Sequence, residues 1–128
     1  MTRTGGVVMP TKWIGVDLDG TLARDDQRDG PDYDLCHIGP PVPLMVNRVK
    51  GWLENGIEVR IVTARANPID MNPTKFAATQ LAIRTWCQEH IGQILPVTAS
   101  KDYMMQELWD DRAFRVQRNT GRLLDQQR

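Results

Sequence analysis

Asp17 and Asp19 stand two residues apart in the run Asp17-Leu18-Asp19-Gly20-Thr21, and a second acidic pair, Asp110-Asp111, lies far along the chain. Three or four carboxylates brought close together repel unless a divalent cation neutralises them, and oxygen-only ligation favours Mg2+. Thr63 offers a hydroxyl for hydrogen bonding, and Lys101 a further positive charge. Such a set suits a phosphoryl group in transit, whose charge must be stabilised on several oxygens at once. Asp17 is then the nucleophile toward phosphorus, and Asp19, two residues on, protonates the leaving oxygen. Gly20 and Thr21 let the chain turn sharply away from whatever element carries Asp17.

Those residues need a scaffold that brings distant segments to one edge. Lys12–Leu18 is a short, mostly apolar, β-rich run, as expected of a buried parallel strand. Leu44, Met45, Val49, Trp52 and Leu53 recur at helical spacing until Asn55-Gly56 supplies a stop. Ile57–Thr63 is a second β-rich run, and Pro73-Thr74 opens a long helical pattern reaching about His90. Ile94–Thr98 reads as a third strand, Lys101–Gln106 as a brief helical turn, and Glu107–Trp109 as a fourth strand. Strands separated by helices argue for an α/β fold with a mostly parallel central sheet, a Rossmann-like three-layer sandwich. Asp17, Asp19, Thr63, Lys101, Asp110 and Asp111 then all fall at or just past carboxyl ends of strands, where open α/β sheets bind ligands.

Composition sets the bounds. The 128 residues carry 16 basic and 16 acidic side chains, for a formal net charge of zero, with 41% hydrophobic and 25% charged residues. That is a globular balance, and the length suits a single domain over 1–128. Strong attraction of the whole molecule to a polyanion or an anionic membrane is not expected from zero net charge. Yet Arg outnumbers Lys 12 to 4, and Asp outnumbers Glu 12 to 4. Arg is the planar, bidentate partner for phosphate, and Asp the short carboxylate suited to a metal. The acidic excess gathers in 17–34 and the basic excess in 113–128, with Arg112 at their junction with the acidic pair. No stretch approaches the roughly 20 apolar residues needed to span a bilayer, so no membrane partner is expected. Residues 1–11 lack the apolar core of a signal peptide and read as a flexible N-terminus. Cys36 and Cys87 stand far apart without a metal-binding spacing, as in a reduced, cytoplasmic protein.

Asp17-Leu18-Asp19-Gly20-Thr21 resembles the first motif of the haloacid dehalogenase superfamily, in its phosphatase branch. Thr63 in Ile-Val-Thr-Ala-Arg is similar to its second motif, Lys101 to the third, and Asp110-Asp111-Arg112 to the fourth. The resemblance spans roughly residues 12–112. It implies an Asp17 phosphoaspartyl intermediate, with Asp19 as general acid and then general base. It implies Mg2+ held by Asp17, the backbone carbonyl of Asp19 and a fourth-motif carboxylate, with Asp111 the direct ligand and Asp110 a close helper. It also implies Thr63 and Lys101 as catalytic partners. Larger members insert cap domains. Here the first gap holds only the 20–43 loop and the second one helix and a strand, so no cap fits. An open site admits a polymer end or calls for a partner subunit, such as a homodimer, to cover it.

Flanking residues are similar to the phosphatase domains of phage polynucleotide kinase/3′-phosphatases: Arg28, Gly30-Pro31-Asp32-Tyr33-Asp34-Leu35, Thr63-Ala64-Arg65 and Asn72-Pro73-Thr74-Lys75. That likeness implies Arg28, Arg65 and Gly20 on the substrate side, and a phosphorylated nucleotide or nucleic acid 3′ end as substrate. No Gly-x4-Gly-Lys-Ser/Thr loop accompanies it, so ATP use is not expected. A phosphatase for small metabolites or 5′-nucleotides is the alternative enzyme. A non-catalytic module that binds phosphorylated ends is the third reading. Trp13, Trp52 and Trp86 read as core or helix-face residues rather than base-stacking platforms, and Trp109 as a candidate to edge the site.

Overall fold

Trp13–Asp17 forms the first strand, β1, and its alternating side chains divide the molecule. Ile14 and Val16, with Leu18 just beyond, point into one buried cluster. The computed structural model describes residues 11–27 and 33–124. After β1 come helix α1 (Pro43–Glu54), strand β2 (Glu58–Val62), a short 3-10 turn at Ala64–Ala66, helix α2 (Pro73–His90), and strands β3 (Val97–Thr98) and β4 (Met105–Trp109). The four strands lie in the order β3-β2-β1-β4, and every neighbouring pair is parallel. The protein is thus α/β, as its periodicity implies.

Local chemistry sets the helix ends. Pro43 opens α1, where its missing N–H is no loss. Gly56, at φ +76°, turns the chain out of the helix toward β2. The Asn72 side chain accepts from the Lys75 N–H at 2.8 Å and caps α2, with Pro73 in the first turn. Met45, Val46 and Val49 of α1, and Ile83, Trp86 and Cys87 of α2, meet Ile14, Val16, Val59 and Ile61 in one core. Both helices therefore cover the same face of the sheet.

The parallel sheet and its two helices are compatible with a Rossmann-like sandwich. Among the described residues the opposite face has no helix. It is covered by the chain crossing from β3 to β4, and the expected helical turn at 101–106 does not form. Instead Asp102 accepts from the Trp13 indole N–H at 2.8 Å and from the Met104 N–H at 2.8 Å. The Arg60 guanidinium lies 4.5 Å from the Trp13 ring centroid and donates to Asp102 at 3.3 Å. Trp13 is core, as expected, but on this second face.

The 20–43 loop is tied at its base. Ala23 pairs with Pro41, Arg24 N–H donates to the Pro40 carbonyl, and Val42 N–H to the Leu22 carbonyl. At the other end of the chain, residues 114–124 fold into a hairpin in which Val116 pairs with Leu123. Its turn uses the positive φ angles of Asn119 and Gly121. Every residue from Asp111 to Leu124 is exposed. Among the described residues no helix is long and apolar enough to cross a membrane.

Candidate functional site

The turn after β1 closes within a few residues. Gly20 N–H donates to the Ala23 carbonyl at 2.8 Å, and the Leu22 and Ala23 N–H groups both return to the Leu18 carbonyl. Leu18 and Leu22 are drawn into the core, while Asp17 and Asp19 stay at its edge. Beside β1, Val16 pairs with Trp109 of β4, so Asp110 and Asp111 emerge next to Asp17. One oxygen from each of Asp17, Asp110 and Asp111 lies within 4.8 Å of the others.

Two small residues hold that cluster together. The Thr21 hydroxyl accepts from the Asp111 N–H at 3.0 Å and donates to an Asp111 carboxylate oxygen at 3.1 Å. An Asp17 oxygen lies 3.5 Å from the same hydroxyl. Gly20, at φ +90°, leaves the space that the Asp111 carboxylate occupies; a Cβ there would stand 2.6 Å from Asp111 Oδ2. This is the role the geometry gives Gly20. The bridging role of Thr21 was not read from the sequence, although a hydroxyl directly after two carboxylates and a glycine was the available signal.

Electrostatics mark Asp17. Burial, with Asp110 and Asp111 close by, pushes its carboxyl from an ordinary 3.8 up to about 8. A set of oxygen donors that repel one another in this way fits a hard divalent cation. A cation held by this set would have to displace the Asp17 proton below pH 8, so its apparent affinity should fall up to about tenfold for each pH unit below 8. Calorimetric titration with Mg2+ at pH 6, 7 and 8 checks this. Equal affinity at all three would remove Asp17 from the ligand set.

Thr63 ends β2 and is buried, and its hydroxyl accepts from the Arg65 N–H at 3.2 Å. Arg65 follows on the 3-10 turn and is only 3% exposed. Its guanidinium grips Asp19 in a fork, Nε to Oδ2 at 2.9 Å and Nη2 to Oδ1 at 2.7 Å. Nη1 donates to the Leu35 and His37 carbonyls at 2.7 and 2.8 Å, and Nη2 also to the Tyr33 hydroxyl at 3.2 Å.

These residues line a cleft of about 410 Å3. Asp17, Asp19, Asp25, Thr63, Arg65 and Arg112 form its polar part, and Leu35, Ile69 and Met71 an apolar wall beside Tyr33. Asp25 and the apolar wall were not read from the sequence, and Arg112 was read only as the end of the Asp110-Asp111-Arg112 motif, without a place in the cleft. A larger cavity of about 550 Å3 runs along α2, but only Glu89 in its lining carries a carboxylate.

Three expectations need correction or restriction. Lys101 is exposed, lies outside the cleft lining and forms no ion pair with the carboxylates among the described residues. The reason is the path of the chain. Thr98 pairs with Val62 at the carboxyl end of the sheet, whereas the Met104 carbonyl already accepts from the Trp13 N–H at the other end of β1. Lys101 sits on that descending limb. Trp109 does not edge the cleft either; it packs on Trp52 with ring centroids 5.2 Å apart, under the Arg48 guanidinium. Arg28 lies outside the described residues.

Compared with models of known protein families and with curated proteins, the chain matches none.

Proposed function

We propose that this protein is a Mg2+-dependent phosphomonoesterase that works through an aspartyl-phosphate on Asp17, with a haloacid dehalogenase-type site. The observation that carries the reading is one cleft in which Asp17 stands beside Asp110 and Asp111 while Asp19 lies two residues on. Asp17, Asp110, Asp111 and the Asp19 carbonyl would hold the cation, which would offset their mutual repulsion and the charge on the phosphoryl oxygens. The Asp17 carboxylate attacks phosphorus and the bond from phosphorus to the alcohol oxygen breaks. Asp19 gives that oxygen its proton. Water then attacks the aspartyl-phosphate and loses a proton to Asp19; the phosphorus–Asp17 bond breaks, and inorganic phosphate and free Asp17 result. The Thr63 oxygen already accepts from Arg65 N–H, which leaves its hydrogen to donate toward a phosphate oxygen. With Lys101 outside the cleft, Arg112 is the cation in the lining placed for the phosphate.

The substrate in this reading is a 3′-phosphorylated nucleic acid end. Its support is the hairpin that leaves the cleft at Arg112: residues 112–124 hold four Arg and no acidic residue. A strand running along them would meet one positive charge after another. A second reading, a mononucleotide or small-metabolite phosphatase, is favoured by the apolar wall of Leu35, Ile69 and Met71. One panel separates them: phosphate release from a 3′-phosphorylated oligonucleotide, a mononucleotide and a sugar phosphate, with and without Mg2+. The oligonucleotide is expected to be preferred, and replacing Arg115, Arg118 and Arg122 by Ala to lower its kcat/KM about tenfold or more at low salt. Mononucleotide turnover should hold. Preference for the sugar phosphate rejects the end-processing reading, and binding without Mg2+-stimulated release rejects the enzyme.

A further inference from the structure

We infer that Arg65 is a positioning residue: it fixes the carboxylate of Asp19 and couples it to the 33–37 segment, so the proton-transfer group is aligned only while that segment is seated. The inference rests on the phosphatase reading for its consequence in catalysis, but its geometry stands alone. A guanidinium has five N–H donors. Here two hold the oxygens of Asp19, two hold the carbonyls of Leu35 and His37, and the fifth holds the Tyr33 hydroxyl. None is left for a phosphate oxygen, so the substrate-side role implied by resemblance would require a bond already made to be broken.

The backbone around Arg65 is held as firmly as its side chain. Its N–H donates to Thr63 Oγ1 at 3.2 Å, and its carbonyl accepts from the Gln80 amide of α2 at 2.8 Å. The 33–37 segment is in turn closed by Gln27, whose side chain accepts from the Asp34 N–H and donates to the Asp34 and His37 carbonyls. The guanidinium thus joins three parts of the chain: the turn after β1, the turn after β2 and the loop between β1 and α1. A carboxylate has about four acceptor sites. The fork takes two and leaves the others on Asp19, which lines the cleft, for a leaving oxygen or a water. A misaligned proton-transfer group commonly costs about a hundredfold in rate.

Such a role depends on the leaving group. An alkyl alkoxide must be protonated as it departs, whereas 2,4-dinitrophenolate leaves without help. The test measures kcat/KM, which reports only the steps up to departure of the alcohol and not the later attack of water, for an alkyl phosphate and for 2,4-dinitrophenyl phosphate on the same preparations of wild type, Arg65→Ala and Arg65→Lys. Any inactive fraction cancels in the ratio of the two. Arg65→Ala is expected to lower kcat/KM for the alkyl phosphate about a hundredfold or more and for dinitrophenyl phosphate less than about fivefold. Arg65→Lys, which keeps the charge without the fork, should fall between. Equal losses of kcat/KM on both substrates, or no loss on either, would overturn the assignment. Hydrogen exchange at the Cys36 and His37 amides supplies a readout independent of turnover. It is expected to quicken in Arg65→Ala, and unchanged exchange overturns the coupling to the loop. Failure of the wild type to release phosphate from any ester would instead sink the phosphatase reading, with the exchange result still deciding whether Arg65 anchors the segment.

Discussion

Asp17→Asn is expected to abolish Mg2+-stimulated phosphate release and, at pH 8 without metal, to make the protein harder to unfold. The first effect follows from the proposed role of Asp17 as nucleophile: an amide cannot form the acyl phosphate, and turnover of an aryl phosphate should fall at least about a thousandfold. The second follows from the position of Asp17 among its neighbours. Burial and the adjacent Asp110 and Asp111 hold its carboxyl up near 8 in the folded chain, against 3.8 for the ordinary group. A folded state that binds the proton more tightly than the unfolded state loses stability as pH rises between those two values. The asparagine carries no proton to lose. Its advantage is therefore absent below pH 4, grows from there, and is complete above pH 8. After allowance for solvent screening at a partly exposed group, that is about 1–2 kcal/mol, or about 3–8 °C in Tm. Thermal melts of both proteins at pH 4, 6 and 8 in the presence of a chelator check it. Unchanged turnover would end the assignment of Asp17 as nucleophile, and a lower Tm at pH 8 would show that the carboxylates do not strain one another.

The same carboxylates show what could be read from sequence and what could not. Asp17, Asp19, Asp110 and Asp111 were legible because each follows a segment read as a strand, β1 as an apolar run and β4 as the short Glu107–Trp109 piece. Parallel strands put their carboxyl ends at one edge whatever the loops do. β1, α1, β2 and α2 were legible for a like reason. Each carries its own period, and Pro43, Gly56, Asn72 and Pro73 punctuate the helices. The β3 strand shrank to Val97–Thr98, because Pro96 brings no N–H to the ladder and Ile94 stays exposed. Lys101 failed for a different reason. Its place depends on where a six-residue crossover (99–104) runs, which is decided by Asp102 reaching Trp13 and Arg60. No local pattern encodes a contact between residues that far apart in the chain. Arg65 was legible as a site residue by its neighbourhood, but its partners were not, since they are two backbone carbonyls and a hydroxyl from a loop without periodicity.

Gly20→Ala separates the fold from the site more cleanly than any change to a charged residue. A Cβ at position 20 would stand 2.6 Å from Asp111 Oδ2 and 2.8 Å from its Cγ, closer than side chains pack. The atoms it meets are the end of a side chain, not backbone, so Asp111 can swing away and the fold survive. What remains is the strain of an alanine at φ +90°, about 1–2 kcal/mol, which should lower Tm by about 3–8 °C. The carboxylate that moves, however, is the one joined to Thr21 at 3.1 Å and grouped with Asp17 and Asp110. If the three carboxylates hold Mg2+ as proposed, displacing one of them should weaken its binding at least as much as losing a supporting partner does, about 10–100-fold. The activity should then recover in part at high Mg2+, which loss of the nucleophile would not allow. The two measurements are a thermal melt with chelator and a Mg2+ titration of phosphate release. A variant that unfolds outright would mean that Asp111 cannot move and that Gly20 serves the turn. A variant with unaltered Mg2+ dependence would mean that Asp111 is no ligand, and would shift that role to Asp110.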